Sequence, residues 1–392
     1  MSLDLETAPK IIDVDTHVVE PYDLWTSRVS VKRYGDLVPH VAWDENAQED
    51  AWYFGDTRIC GAAHPAYFSW TDYPPNHPRV LSDADPRNWD AALRLKVMDE
   101  YGVQAQVLYP NVAGFGTGRF SALDDPELML ACVRAYNDYL TEWSSVDPQR
   151  LLPVTALPFW DLDETIKEMA RCADLGHRGA ILSLEPEHFG QPHLTHEYWE
   201  PLWSAAEEIG YPLNFHIGAG DRKVASDPWD GIGAHAKFAS TGVKFFINNA
   251  KGVADLIFSG ICHRHPNLKF VSVESGIGWI PFALEAMDWQ WKNCAVSAEH
   301  PEYDLLPSEY FRRQLFGCFW FERDSATHAI EQLGSDCVMF ETDFPHPTAQ
   351  VPGPATTAVE PQQYLADVFG HLPAETSRKI VHDNAARLYR IG

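Results

Sequence analysis

The chain has 392 residues, 45% of them hydrophobic and 12% aromatic, enough apolar material for one large packed domain or two ordinary ones. A formal charge of −26 repels phosphates at long range, which excludes nucleic acid and an anionic membrane surface as partners. The seven cysteines are odd in number and contain no C-x-x-C pair, a usage that suits a reducing cytoplasm rather than a disulfide frame.

The first ten residues lack the basic and apolar parts of a signal peptide, and no apolar run approaches the ~20 residues of a membrane span, so a cytoplasmic location is expected. The first strand is read in Ile11 to His17, where Asp13, Asp15 and His17 fall at every second position. That period places all three on one face of an extended strand. Two carboxylates and an imidazole on a buried face call for a positive partner, and a metal ion is the natural one. The competing reading makes Asp15 a turn cap and His17 a satisfied core histidine.

From Glu20 to Asn88 the chain is irregular and rich in Pro, Trp, Tyr and Asp. So long a stretch without periodicity reads as a cap inserted over the main domain, residues 20–88 of a single 1–392 unit. Its aromatic residues, among them Trp52, Tyr67 and Trp70, either line an apolar pocket or pack the insertion onto the body.

Regular alternation begins near residue 90. Helices are expected over 91–101, 126–146, 163–175 and 196–209, then in a long region ending at 263, and over 279–293 and 325–333. Strands are expected over 103–109, 151–157, 178–182, 211–216, 268–274, 314–320 and 337–343. With the first strand this makes eight βα units, which imply an α/β fold of the (β/α)8 TIM-barrel type with a long insertion after strand 1. The runner-up, an open doubly wound sheet, lacks a glycine fingerprint after the first strand.

The polar residues that end strands form one set: Asp15 and His17 on the first, His216 on the fifth, Glu274 on the sixth and Asp343 on the eighth. In such barrels the reactive groups sit at these carboxyl ends. Glu20 and His346 follow the first and eighth strands closely enough to join them, or are exposed loop residues. Asp13 is read as orienting a ligand rather than binding metal. Asn111, Asn214 and Asn248 are weaker candidates, and His263 and His265 are read as structural at a helix end.

Several of these segments resemble one family. Ile12 to His17, Leu95 to Gly102, Gly179 to Ile181, His265 to Lys269, Glu274 to Trp279, Thr342 to His346 and Asn384 to Tyr389 are similar to the amidohydrolase-related barrels, which include metal-dependent decarboxylases. The resemblance implies Asp15, His17, His216 and Asp343 as ligands of one divalent ion. It also marks a departure, because those decarboxylases carry a His at the sixth strand where this chain has Glu274.

A second, narrower resemblance is to the branch containing the non-heme di-iron monooxygenase of platensimycin biosynthesis. Up to seven donors, Asp15, His17, Glu20, His216, Glu274, Asp343 and His346, exceed the need of one zinc and would suit two Fe ions. The leading expectation is therefore a di-iron oxygenase, with Glu274 and His346 also catalytic. It would use O2 and an external electron donor to hydroxylate an apolar small-molecule substrate of secondary metabolism. A diterpenoid CoA thioester is the implied example, its tail held by Arg222 and Lys223, and a homodimer is expected. The alternatives are a mononuclear Zn or Mn hydrolase or decarboxylase with Glu274 as general base, and a catalytically inactive binding barrel.

Overall fold

The structure is a computed structural model and describes residues 10–219 and 231–391. Its eight parallel barrel strands are β1 (Ile11–His17), β5 (Val103–Tyr109), β6 (Leu151–Pro153), β7 (Ala180–Ile181), β8 (Pro212–His216), β9 (Lys269–Val273), β10 (Leu315–Phe319) and β11 (Val338–Phe340). Hydrogen bonding divides them into two runs, β1-β5-β6 and β7-β8-β9-β10-β11. Single parallel bridges join the runs at both seams, Thr155 to Ala180 and Thr16 to Phe344, so the sheet closes into the expected barrel. Helices follow the strands as crossovers, for example Ala91–Glu100 before β5 and Pro126–Ser144 after it.

Why these helices start and stop is visible in their ends. Asp90 and Asp125 accept from the first free amides of their helices, and Asp161 does the same before Leu162–Asp174. The barrel interior is filled by alternate residues, Ala105, Val107 and Tyr109 from β5, Val271 and Val273 from β9, Phe316 and Cys318 from β10. Ala385, Leu388 and Tyr389 of the last helix join this interior cluster. The other strand faces pack beneath the helices in a much larger apolar layer.

Segment 20–88 is more regular than its sequence suggests. It contains an antiparallel sheet of β2 (His40–Asp44), β3 (Glu49–Phe54) and β4 (Thr57–Gly61), with Trp52 fully buried in a T-shaped contact with Trp25. Arg94 ties the end of this segment to the barrel. Its buried guanidinium donates to the carbonyls of Asn88 and His17 and to the Gln106 side chain, and lies 4.2 Å from the Phe344 ring centroid.

Along β1 the simple alternation fails. Ile12 and Val14 pack into the interior, so Asp13 between them points outward to Gln106 and Thr342. The register with β5 slips between Asp13 and Thr16, and this irregularity turns Asp15 and His17 toward the barrel mouth. The three residues therefore do not share one face.

Candidate metal centre

Asp15, His17, His216, Glu274, Asp343 and His346 meet at the carboxyl ends of the strands. His17 Nε2 lies 3.4 Å from both Asp15 Oδ1 and Asp343 Oδ1. His216 Nε2 lies 3.5 Å from Asp15 Oδ2, 3.4 Å from Glu274 Oε2 and 3.2 Å from His17 Nε2. His346 stacks on His17 with ring centroids 3.6 Å apart and brings Nδ1 to 2.9 Å from Asp343 Oδ1.

Hydrogen bonds behind the rings decide which nitrogens face the centre. Nδ1 of His17 meets the Pro110 carbonyl at 3.2 Å and Nδ1 of His216 meets the Ile217 carbonyl at 2.9 Å. A carbonyl only accepts, so each Nδ1 carries a proton and each Nε2 is turned inward, where in the neutral ring it offers a lone pair. His346 is held the other way round, with Nε2 donating to Asn111 Oδ1 at 2.5 Å and Nδ1 turned inward.

The carboxylates lack any such support. Among the described residues, neither oxygen of Asp15 nor of Asp343 has a hydrogen-bond partner, although both side chains are buried. Burial and the neighbouring carboxylates, Glu274 and Asp15, push the Asp343 carboxyl well above its usual range. Burial and Asp15 raise Glu274 to about 8, against the pull of His216. Burial also opposes ionisation of Asp15, but His216 and His17 overcome it and hold that group below the usual value. Burial and the adjacent imidazoles depress His346. Four naked carboxylate oxygens and inward imidazole lone pairs fit a divalent cation, and three overlapping sets qualify as ligand groups: Asp15-His17-His216, His17-Asp343-His346 and Asp15-Glu274-Asp343.

Glu20 is not brought into this centre. Its Oε1 accepts from the amides of Asn111 at 2.8 Å and Val112 at 3.0 Å, and Oε2 accepts from the Asn111 side chain. Asp13 likewise lies behind the centre, holding Thr342. Asn111 orients His346, and Asn214 accepts from Tyr389 within the barrel. Asn248 borders a small pocket lined also by His216, Glu185 and Lys251, while His263 and His265 pair with surface acids, Asp304 for the first and Glu200 and Glu207 for the second. Arg222 and Lys223 lie outside the described residues.

Glu341 belongs to the neighbourhood and escaped the sequence reading. Its buried Oε2 accepts from the Glu274 amide at 3.2 Å, while Oε1 has no hydrogen-bond partner. The signal was available, since Glu341 stands two residues before Asp343 in the run 337–343 expected as the eighth strand, a spacing that would put both on one side. Glu274 and Asp343 share a further property, φ of 56° and 59°, the left-handed conformation that residues with a side chain rarely adopt. Strain of this kind concentrates at functional positions.

A cavity of about 660 Å³ opens in front of these groups. Glu274, Asp343, His346 and Asn111 line its floor, while Gly61, His64 and His77 from segment 20–88 and Phe238, Phe245 and Phe246 from helix Ala234–Phe258 line its outer walls. His77 Nε2 lies 2.6 Å from Glu49 Oε2, and burial lowers His64 to about 3, so His64 stays neutral.

Proteins of known activity share this architecture. The chain is 26% identical over 319 residues to γ-resorcylate decarboxylase of Rhizobium sp. (strain MTP-10005), an alignment covering 76% of this chain and 86% of that protein. A crystal structure of an amidohydrolase from Mycobacterium avium subsp. paratuberculosis K-10 superposes with a TM-score of 0.75 at 21% identity, over 99% of this chain and all of the other. The 5-carboxyvanillate decarboxylase of Novosphingobium aromaticivorans, solved with bound manganese, gives 0.67 at 16% identity over 97% of each chain.

These relatives overturn the di-iron monooxygenase expected from the sequence and leave O2, the electron donor and the CoA thioester without support. The Rhizobium and Novosphingobium proteins are decarboxylases, and manganese rather than a pair of irons accompanies the second of these. The physical reason for the error is that donors were counted by type. Glu20 is engaged by the amides of Asn111 and Val112 and so leaves the oxygen-rich set that had suggested two irons. Among the described residues no helix is long and apolar enough to cross a membrane. The profile of the family described as Amidohydrolase (Amidohydro_2) matches residues 12–391, nearly the full length, and the chain belongs to that family.

Proposed function

We propose that the protein is a metal-dependent decarboxylase that removes a carboxylate from a small aromatic acid, using one divalent cation held by Asp15, His17, His216 and Asp343. The observation that carries this reading is the convergence of the unpartnered Asp15 and Asp343 oxygens with the inward Nε2 atoms of His17 and His216. Mixed carboxylate and imidazole ligation admits manganese or zinc. When bound, such an ion polarises a substrate oxygen as a Lewis acid. The decarboxylases among the relatives supply the reaction class and the aromatic acids.

The chain's own residues provide the remainder. Glu274 stands between the ligand cluster and the cavity, in the place where the family resemblance puts a histidine, and acts as the proton carrier. As the bond to the carboxylate breaks, the ring carbon keeps the electron pair and takes up a proton from Glu274, and CO2 leaves. His346, stacked on His17 and fixed by Asn111, closes the floor and keeps the substrate against the ligand cluster. Segment 20–88 caps the cavity and excludes water from it.

The test is CO2 release from 2,6-dihydroxybenzoate and 5-carboxyvanillate by protein reconstituted with manganese, beside elemental analysis. About one metal per chain and CO2 release that disappears in His216→Ala support the reading. A metal-loaded, folded protein that releases no CO2 from a panel of aromatic acids would overturn it.

A further inference from the structure

Among the described residues, three cationic side chains line the cavity: Arg58, Arg119 and Lys237. Arg58 is neutralised, with Nε 2.5 Å from Asp44 and Nη2 paired with Glu49. Lys237 sits on a flexible four-carbon stem on the outer helix. Arg119 is different in kind. It is half-buried, and its Nη1 alone is engaged, donating to the carbonyls of Asn111 at 3.1 Å and Val112 at 3.3 Å and touching Cys60 Sγ at 3.7 Å.

No carboxylate pairs with Arg119 among the described residues, and its Nε and Nη2 have no partner there. Those two atoms form the edge of a guanidinium that grips a carboxylate with two parallel hydrogen bonds. The side chain is already in position. Two carbonyls hold one end of the fork, and Gly114, at φ +79°, leaves so little room that a Cβ there would stand 3.3 Å from Arg119 Cγ. The fork also borders an adjoining 320 Å³ cavity, so it meets open volume on more than one side.

Asn111 links this arginine to the metal centre. Its backbone carbonyl accepts from Arg119 while its side chain accepts from His346, so one residue separates the two. A substrate with one acidic group at the ligand cluster would reach the guanidinium with a second across its ring. In a chain with 56 acidic and 30 basic residues, a pre-set arginine with no acid of its own among the described residues marks where a ligand supplies the negative charge.

We propose that Arg119 binds a second substrate carboxylate that is retained through the reaction, so that the site selects aromatic dicarboxylic over monocarboxylic acids; this rests on the decarboxylase reading above. The experiment is calorimetric titration of the manganese-loaded protein with benzene-1,3-dicarboxylate and with benzoate, in the wild type, Arg119→Gln and Arg119→Lys. The wild type binds the dicarboxylate ~10-fold or more tightly than benzoate, in line with one charge-assisted bidentate pair. Arg119→Gln loses that preference, and wild-type manganese content and thermal melt show its pocket to be intact. If Arg119→Gln does not fold, Arg119→Lys decides, and a reduced preference supports the assignment. Equal binding of the two acids by the wild type, or an undiminished preference in the folded variants, overturns it. A preserved preference in the wild type without turnover of any acid would sink decarboxylation and leave Arg119 in its role.

Discussion

Asp13 grips Thr342 with both oxygens of its carboxylate, Oδ1 accepting from the backbone amide at 2.8 Å and Oδ2 from the hydroxyl at 2.6 Å. Thr342 immediately precedes Asp343, so this contact across the β1 and β11 seam sets where a metal-facing carboxylate begins. Asp13→Ala leaves the buried amide and hydroxyl of Thr342 without acceptors. We expect a loss of about 2–4 kcal/mol in stability, with Asp13→Asn retaining part of it, read from urea unfolding midpoints.

The left-handed backbone at Asp343 offers a way to separate charge from conformation. Asn tolerates that region better than other residues with a side chain, whereas Ala does not. Asp343→Asn is expected to keep wild-type stability within about 0.5 kcal/mol and to lose most bound manganese. Asp343→Ala is expected to lose the metal and about 1 kcal/mol of stability besides. Metal content by mass spectrometry beside thermal melts checks both variants, and full metal occupancy in Asp343→Asn would contradict the ligand assignment.

Glu274→Gln preserves the shape of the side chain and removes its proton. With Asp15, His17, His216 and Asp343 untouched, manganese stays bound, while kcat for CO2 release falls by roughly 10²–10⁴-fold, the range for loss of a positioned acid or base. A small drop in kcat with a large rise in KM would instead make Glu274 a binding residue.

His177 provides a pH dependence far from the metal centre. Its ring sits between the Thr141 and Thr155 hydroxyls, and burial lowers its pKa to about 4 from 6.5. Between those values the unfolded chain takes up a proton that the native protein refuses, so stability falls as pH drops from 6.5 toward 4. The full window is worth ~3 kcal/mol by linkage. His177→Gln removes the titrating group, and guanidinium unfolding at pH 7 and pH 4.5 is expected to show a smaller acid loss for the variant than for the wild type.

The barrel was legible because its strands alternate with helices that carry clear caps. β1 and β5 match their expected bounds residue for residue. The stretch 151–157 shrinks to Leu151–Pro153, because Pro153 has no amide to continue the ladder and only Thr155 bridges onward. The eighth strand ends at Phe340 rather than Asp343, since the chain leaves the sheet just as its acidic residues turn toward the mouth. The sheet in segment 20–88 was missed because β2, HVAWD, is largely exposed and shows little of the alternation that marks a half-buried strand.

At the centre, residue types at strand ends were readable, but what those residues touch was not. Nothing in the sequence says that Glu20 is taken by two amides, or that Asp13 faces away from Asp15. The second depends on a register slip in β1, which leaves no compositional trace. Arg119 is the same kind of case, since an arginine in a glycine-rich loop looks like any surface cation until its neighbours are known.

The seam between the first and last barrel strands has a consequence for the order of events in the cell. Asp343 donates its amide to the carbonyl of Asp15, and His17 does so to Phe344, so of the four proposed ligands two are made at the start of synthesis, His216 midway and Asp343 near its finish. A nascent chain holds Asp15, His17 and His216 without Asp343 until β11 has emerged and docked. The proposed four-ligand set is thereby complete only in chains translated almost to their last residues, once the ring has closed.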